Sequence, residues 1–334
     1  MTQSAAPEGP IPVTLVTGFL GAGKTTLINH ILTQQSGLRF AVIVNEFGAI
    51  GIDHDLIISS SETLLELSNG CVCCTIRSDL VTSLRGLLAD GRRFDGIFVE
   101  TTGLADPAPV VQTFMFDQIL AAKAYLDSVV TLVDAGHISA QLGQYAEVSN
   151  QLLLATIIII NKADTIDAVT LSGIREQIGR LNPVAKPYVT KRAQMPLDAL
   201  TGQRGFNPVR IADELAVHAQ QSASAVSYAH AMSSLSFCAD QPFLLEALEA
   251  RLTGIMQKYG QDIVRMKGIF DIAGQDDRLV FQAVHMMSEA VWQGVWHPGQ
   301  TRQSRLVVIG QNLDDPQMQR EFEWFQVATA DISH

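Results

Sequence analysis

Apolar positions in the first half of the chain fall into short unbroken runs. Val13-Thr14-Leu15-Val16-Thr17, Phe40-Ala41-Val42-Ile43-Val44, Gly96-Ile97-Phe98-Val99-Glu100, Ser128 to Val133 and Ile157 to Ile160 each have strand length. Between them the pattern changes period. Lys24 to Gln34 reads as a helix, as does Thr75 to Ala89, where Ile76, Leu80, Leu84, Leu87 and Leu88 keep near a 3.6-residue repeat. Strands that are apolar throughout, alternating with helices, predict an α/β fold with a mostly parallel sheet flanked by helices on both faces. Asn45 to Gly70 reads as loop-rich, with short apolar pieces such as Leu56-Ile57-Ile58.

The pattern changes near residue 200. Thr201 to Pro208 is rich in Gly and polar residues, and Ala219 to Ser227 in Gln, Ser and Ala. The expected division is a first domain over 12–200, a linker over 201–227 and a smaller α/β domain over 228–334. In the latter, Ser233–Phe237, Ile263–Ile272, Arg278–Val284 and Arg305–Gly310 read as strands, and Pro242–Leu252 and Pro316–Phe325 as helices. Gly274-Gln275-Asp276-Asp277 is turn-like and makes the middle two strands a hairpin. Cys238 reads as a core residue of its strand. Trp292 and Trp296, four apart, have the spacing of one helix face and read as packing.

Composition removes several functions. The net charge of −11 argues against general binding to nucleic-acid phosphates. No apolar run approaches the length of a membrane span, so no membrane partner is expected. Met1 to Pro12 carries Glu8 and no basic residue, unlike a secretory leader. Three of the four cysteines (Cys71, Cys73 and Cys74) lie within four residues. That clustering suits metal binding better than a disulfide framework, and the expected compartment is a reducing cytoplasm.

Three motifs carry chemistry. Gly18-Phe19-Leu20-Gly21-Ala22-Gly23-Lys24-Thr25 fits G-x-x-x-x-G-K-[ST], after a strand and before a helix. Gly18, Gly21, Ala22 and Gly23 let backbone N–H groups converge on an anion at a helix N-terminus. Lys24 supplies charge to the β- and γ-phosphates, the Thr25 hydroxyl is a hard oxygen ligand for Mg²⁺, and Thr26 follows in the same turn. Asn161-Lys162-Ala163-Asp164 ends a strand. An acceptor-only carboxylate such as Asp164 matches the two adjacent N–H donors of guanine and has no such match in adenine. Asn161 would hold the base edge and Lys162 lie over the ring, so GTP rather than ATP is expected. Glu100, at another strand end, can hold a Mg²⁺-bound water or orient the attacking water, and Gly103 lets its amide approach the γ-phosphate. Lys24, Glu100 and Gly103 are therefore the candidate catalytic residues.

Together with Asn45-Glu46-Phe47-Gly48, Gly70-Cys71-Val72-Cys73-Cys74 and Glu100-Thr101-Thr102-Gly103-Leu104-Ala105-Asp106-Pro107, these motifs resemble the CobW family of P-loop GTPases. The resemblance spans residues 13 to about 185. It continues, with weaker motifs, in Arg265-Met266-Lys267-Gly268-Ile269-Phe270 and the strand ending at Gly310. It implies a SIMIBI-type GTPase domain, a CobW C-terminal domain, and a metallochaperone whose partner is a client metalloprotein or cofactor-assembly enzyme. A homodimer is one assembly it permits. Soft thiolates at Cys71, Cys73 and Cys74 suit Zn²⁺ or Co²⁺. Either Glu46 or His54 could close the shell. The resemblance sets this cysteine motif between the two switch segments, which would couple metal to nucleotide. The His-rich stretch of many relatives is missing, with only His218 and His230 in that region. A nucleotide-gated metal sensor is the alternative reading.

Overall fold

The computed structural model describes residues 9–34, 38–44, 63–66, 74–89, 94–206, 232–296 and 302–327. They divide into two compact units. One is drawn from Met1–Arg175 and Ala185–Gly205, the other from Glu176–Val184 and Phe206–His334.

The first unit is built on β1 (Ile11–Gly18), β2 (Phe40–Val44), β3 (Thr63–Glu66), β4 (Gly96–Glu100), β5 (Ala124–Asp134), β6 (Ile157–Asn161) and β7 (Lys186–Val189). Its helices are α1 (Lys24–Gln34), α2 (Cys74–Ala89), α3 (Ala108–Phe116), α4 (Gln118–Ala121), α5 (Ile138–Leu142), α6 (Ala146–Leu154) and the first half of α7 (Ala168–Leu181), whose residues from Glu176 on belong to the second unit. The seven strands pair in the order β3-β2-β4-β1-β5-β6-β7, all parallel. β4 and β6 are buried along their whole length, as continuous apolar runs demand of a sheet covered on both faces. On one face Leu27, Ile28, Ile31 and Leu32 of α1 pack with Val42, Phe98, Val130, Leu132, Ile157 and Ile159. All strands run the same way, so Gly18, Glu100, Asp134 and Asn161 arrive at one edge, the carboxyl ends, where open α/β sheets bind ligands.

The second unit is a five-stranded antiparallel sheet in the order β11-β10-β9-β12-β8. It comprises β8 (Met232–Ala239), β9 (Ile263–Phe270), β10 (Asp277–Val284), β11 (Met287–Val295) and β12 (Ser304–Gln311), with helices α8 (Leu245–Tyr259) and α9 (Pro316–Val327). Phe237, Met266, Phe270, Phe281 and Val308 share a core with Leu248, Leu252 and Ile255 of α8 and Met318, Phe322 and Phe325 of α9. The rings of Phe237 and Phe322 stack at 5.4 Å.

Two sequence expectations are corrected here. Cys238 is exposed, not core: it follows the buried Phe237 on β8 and so faces the other side of the strand. Trp292 lies on strand β11, not on a helix, and is 43% exposed, whereas Trp296 just beyond the strand is buried. A separation of four is a multiple of two as well as near 3.6, so the spacing could not tell the two periods apart. Among the described residues, no helix is long and apolar enough to cross a membrane.

Candidate nucleotide site

The phosphate loop leaves β1 in a shape that its glycines make available. Gly18, Gly21 and Gly23 all have positive φ, at 136°, 74° and 108°. A Cβ on Gly18 would lie 2.2 Å from the Leu132 carbonyl oxygen, and one on Gly23 would lie 2.5 Å from Asn161 Nδ2. A Cβ on Gly21 would meet nothing within 4 Å, so there it is the positive φ and not crowding that favours glycine. Lys24 opens α1 and is only 8% exposed. Its ammonium donates to the carbonyls of Gly18 (2.9 Å) and Phe19 (3.3 Å), holding a positive charge against the concave side of the loop. Ala22 is buried and Thr26 is exposed in the first turn of α1.

The Thr25 hydroxyl donates to Glu100 Oε1 at 3.0 Å, so both expected Mg²⁺-side residues meet. Two hard oxygens at a helix N-terminus beside a lysine fit that cation. Glu100 is buried because β4 lies beside β1, with Val16 opposite Glu100 in register. Beyond it, the Thr101 hydroxyl donates to Thr17 Oγ1 (2.8 Å). Gly103 presses on the phosphate loop so closely that a Cβ there would lie 2.6 Å from the Leu20 nitrogen.

Asn161 joins the two nucleotide motifs. Its Nδ2 donates to the Ala22 carbonyl (2.9 Å) and its Oδ1 accepts from the Ala193 amide (2.8 Å). Lys162 holds a left-handed backbone, φ +57°, which costs a non-glycine residue about 1–2 kcal/mol. Its ammonium donates to Asp134 Oδ2 at 2.8 Å. Asp164 is exposed in the short 3-10 turn Ala163–Thr165, where a base-reading carboxylate must be reachable.

Four residues escaped the sequence reading. Asp134 ends β5 opposite Asn161 and also accepts from the Gly136 amide (2.9 Å), with His137 Nδ1 at 3.2 Å. Burial pushes its carboxyl up, but hydrogen bonds from Lys162, His137 and Gly136 outweigh that and hold it below the usual carboxylate range. Its place at a strand end, like that of Glu100, was the available signal. Arg192 and Ala193 follow β7 with φ of 52° and 51°, and this loop supplies Asn161's second partner. Gln151 of α6 reaches the Gly103–Ala105 segment, and nothing in its helical pattern marks it.

The transition-metal set stands differently. Cys71, Cys73, Glu46 and His54 lie outside the described residues, and Cys74 is the first residue of α2. Among the described residues no group of three His, Cys, Asp or Glu side chains gathers in a way that could hold a metal.

Comparison with known proteins agrees with the nucleotide geometry. Residues 12–188 match the nucleotide-binding domain of CobW, HypB and UreG proteins, and residues 232–326 match the cobalamin synthesis protein CobW C-terminal domain. The zinc chaperone YjiA of Escherichia coli is 33% identical over 318 residues, covering 94% of this chain and 98% of that protein. The zinc chaperone CobW of Pseudomonas aeruginosa is 36% identical over 338 residues, covering 91% and 88%. The crystal structure of the Zn(II)-bound E. coli YjiA GTPase superposes with a TM-score of 0.74 at 28% identity over 95% of this chain and 99% of that one. A Zn(II)-bound YjiA triple mutant, with one Glu and two Cys replaced by Ala, gives 0.75 at 29% identity with the same coverage. With its phosphate loop, guanine motif and antiparallel C-terminal sheet all accounted for, the chain belongs to the CobW family of P-loop GTPases.

Proposed function

We propose that the protein is a GTP-driven zinc chaperone, in which the nucleotide controls a zinc site on Cys71, Cys73 and Cys74 and hydrolysis passes the metal to a client metalloprotein. One topological observation carries the reading. β3 ends at Glu66, in register with Val44 of β2, which is itself in register with Glu100 of β4. β3 thus ends level with Glu100, on the edge where the phosphate loop leaves β1, and the next described element, α2, begins at Cys74 itself. A thiolate at a helix start is also favoured by the helix dipole. Relatives named zinc chaperones support zinc over cobalt as cargo.

In this reading Lys24 and the loop amides hold the β- and γ-phosphates. Asn161, Lys162 and Asp164 read guanine, and Gly103 contacts the γ-phosphate. Mg²⁺, held by Thr25 and through a water by Glu100, supplies charge that offsets the phosphate oxygens. Hydrolysis is then a matter of positioning and electrostatics. The domain division at 12–200, 201–227 and 228–334 belongs to the same reading.

Delivery distinguishes a chaperone from a nucleotide-gated sensor. The protein is loaded with less than one equivalent of Zn²⁺ in Mg·GTP, and release to a chromogenic chelator is followed through a single turnover. Release in step with phosphate supports the chaperone, whereas zinc retained through hydrolysis overturns it. Sub-stoichiometric loading matters because the YjiA triple mutant lacking a Glu and two Cys is still Zn(II)-bound. A second site would otherwise mask the first.

A further inference from the structure

The segment after β4 is fastened at both ends. Thr101 is tied by its amide to the Val16 carbonyl (3.0 Å) and by its hydroxyl to Thr17. At the far end Asp106 Oδ1 accepts from the Ala108 amide as α3 begins (2.9 Å). The middle is held from outside by one side chain. Gln151 Nε2 donates to the Gly103 carbonyl at 3.0 Å and to the Ala105 carbonyl at 3.1 Å. Two carbonyl partners fix which end of the amide is nitrogen.

Gln151 is itself rigidly placed. It is 1% exposed, sits within α6, and its own carbonyl accepts from the Thr131 hydroxyl of β5 at 2.7 Å. Gly103 meanwhile lies against Leu20 of the phosphate loop, with room there for a glycine and not for a Cβ. The backbone between Thr101 and Asp106 therefore takes its shape from the phosphate loop on one side and a single buried amide on the other. From this we infer that Gln151 is the positioning residue that presents Gly103 to the γ-phosphate, and so sets the preference for GTP over GDP.

The inference rests on the reading of Gly103 as the γ-phosphate contact. Without the amide, the two carbonyls lose their common donor and the segment must be ordered by the nucleotide itself. That penalty falls on the triphosphate and not on GDP, which does not reach Gly103.

The test uses the full chain with Gln151→Met, which keeps the side-chain length and removes the donor. Gln151→Asn keeps a buried amide but draws it back by one methylene. Affinities for Mg·GTPγS and Mg·GDP, single-turnover hydrolysis and Tm in each complex are measured, with Gly103→Ala alongside. Both Gln151 variants are expected to lower the GTPγS-to-GDP affinity ratio by about tenfold, the worth of one or two buried hydrogen bonds. GDP affinity should hold within about twofold, with hydrolysis slowed by a similar factor. A merely structural role would lower Tm equally in both complexes and leave the ratio at its wild-type value, which overturns the inference. If Gly103→Ala weakens GTPγS while sparing GDP, so that its clash with Leu20 is not the cause, and the Gln151 variants leave the ratio unchanged, the positioning role fails while the γ-phosphate reading survives. If Gly103→Ala leaves the ratio unchanged, that reading fails, and the role of Gln151 with it.

Discussion

Lys24 has no aqueous alternative in this fold: it is buried, and its ammonium donates to two loop carbonyls. A phosphate therefore meets a charge that is already desolvated and aimed. Charge-assisted hydrogen bonds contribute about 1.5–3 kcal/mol each. Lys24→Ala should accordingly weaken GTP by about 100-fold or more, read by fluorescence titration with a labelled nucleotide. Glu100→Ala should slow hydrolysis while leaving GTP binding largely intact. The starting rate should itself be slow, about 10⁻³ to 10⁻² s⁻¹, as for GTPases without an arginine from a partner. Unchanged turnover in that variant would remove Glu100 from the reaction. Asp134 works indirectly, through Lys162. Asp134→Asn should lower GTP and GDP affinity alike, because in the proposed reading the Lys162 side chain that it orients lies over the base. Its depressed pKa contributes stability that is present above the unfolded-state value, about 3.9, and lost only as pH falls through the lower folded value. A thermal melt between pH 6 and 8 should therefore show no dependence attributable to Asp134.

At the scale of elements, the strands deliver the chemistry and the turns fix it. Asp127, buried on β5, takes the Arg204 amide (2.7 Å) on one oxygen and the Gln203 amide (3.2 Å) on the other, tying Gly202–Gly205 to the sheet. Burial pushes its carboxyl up, against the opposing hydrogen bonds from Arg204, Gln203 and Gly202. Asp127→Ala should cost about 1–3 kcal/mol, the loss of two part-buried hydrogen bonds to a carboxylate. The sign of its pH dependence follows from linkage. A carboxyl with a raised folded pKa stabilises most below its unfolded value and loses that contribution as pH rises through the folded one. The gap between wild type and Asp127→Ala should therefore widen from pH 6 to pH 4; a constant gap would contradict the burial argument.

Elements with strong periods were legible in the sequence. β2 and β4 run over Phe40–Val44 and Gly96–Glu100, and α1 over Lys24–Gln34, as the apolar pattern predicts. The strands that were missed carry weak patterns. β3 is four residues long, β7 contains Pro187 and is tolerated because it lies at an edge, and β11 alternates intermediate with exposed positions and contains Gly294. In the nucleotide site, the motif residues were legible because their types fit one chemistry. Arg192, Ala193 and Gln151 were not, because their roles come from backbone conformation and from a tertiary contact that no local spacing encodes.

At the scale of the molecule, the account requires two chemistries to report on each other. In the proposed reading the guanine nucleotide binds at the carboxyl ends of β1, β4 and β6, the edge at which β3 also ends, ahead of the cysteine motif in sequence. If the γ-phosphate orders segments on either side of that cysteine segment, metal and nucleotide must be linked, and linkage is reciprocal. Thiolate ligands add a further signature: metal affinity must fall as pH drops, because protons compete for sulfur. The most direct test is calorimetric titration of Zn²⁺ into the protein held with Mg·GTPγS or with Mg·GDP, repeated on Cys73→Ser. The account predicts one tight site that is about 5–150-fold tighter in the triphosphate state, the range of an ordinary allosteric coupling, and absent from Cys73→Ser. Equal zinc affinity in the two nucleotide states would contradict it.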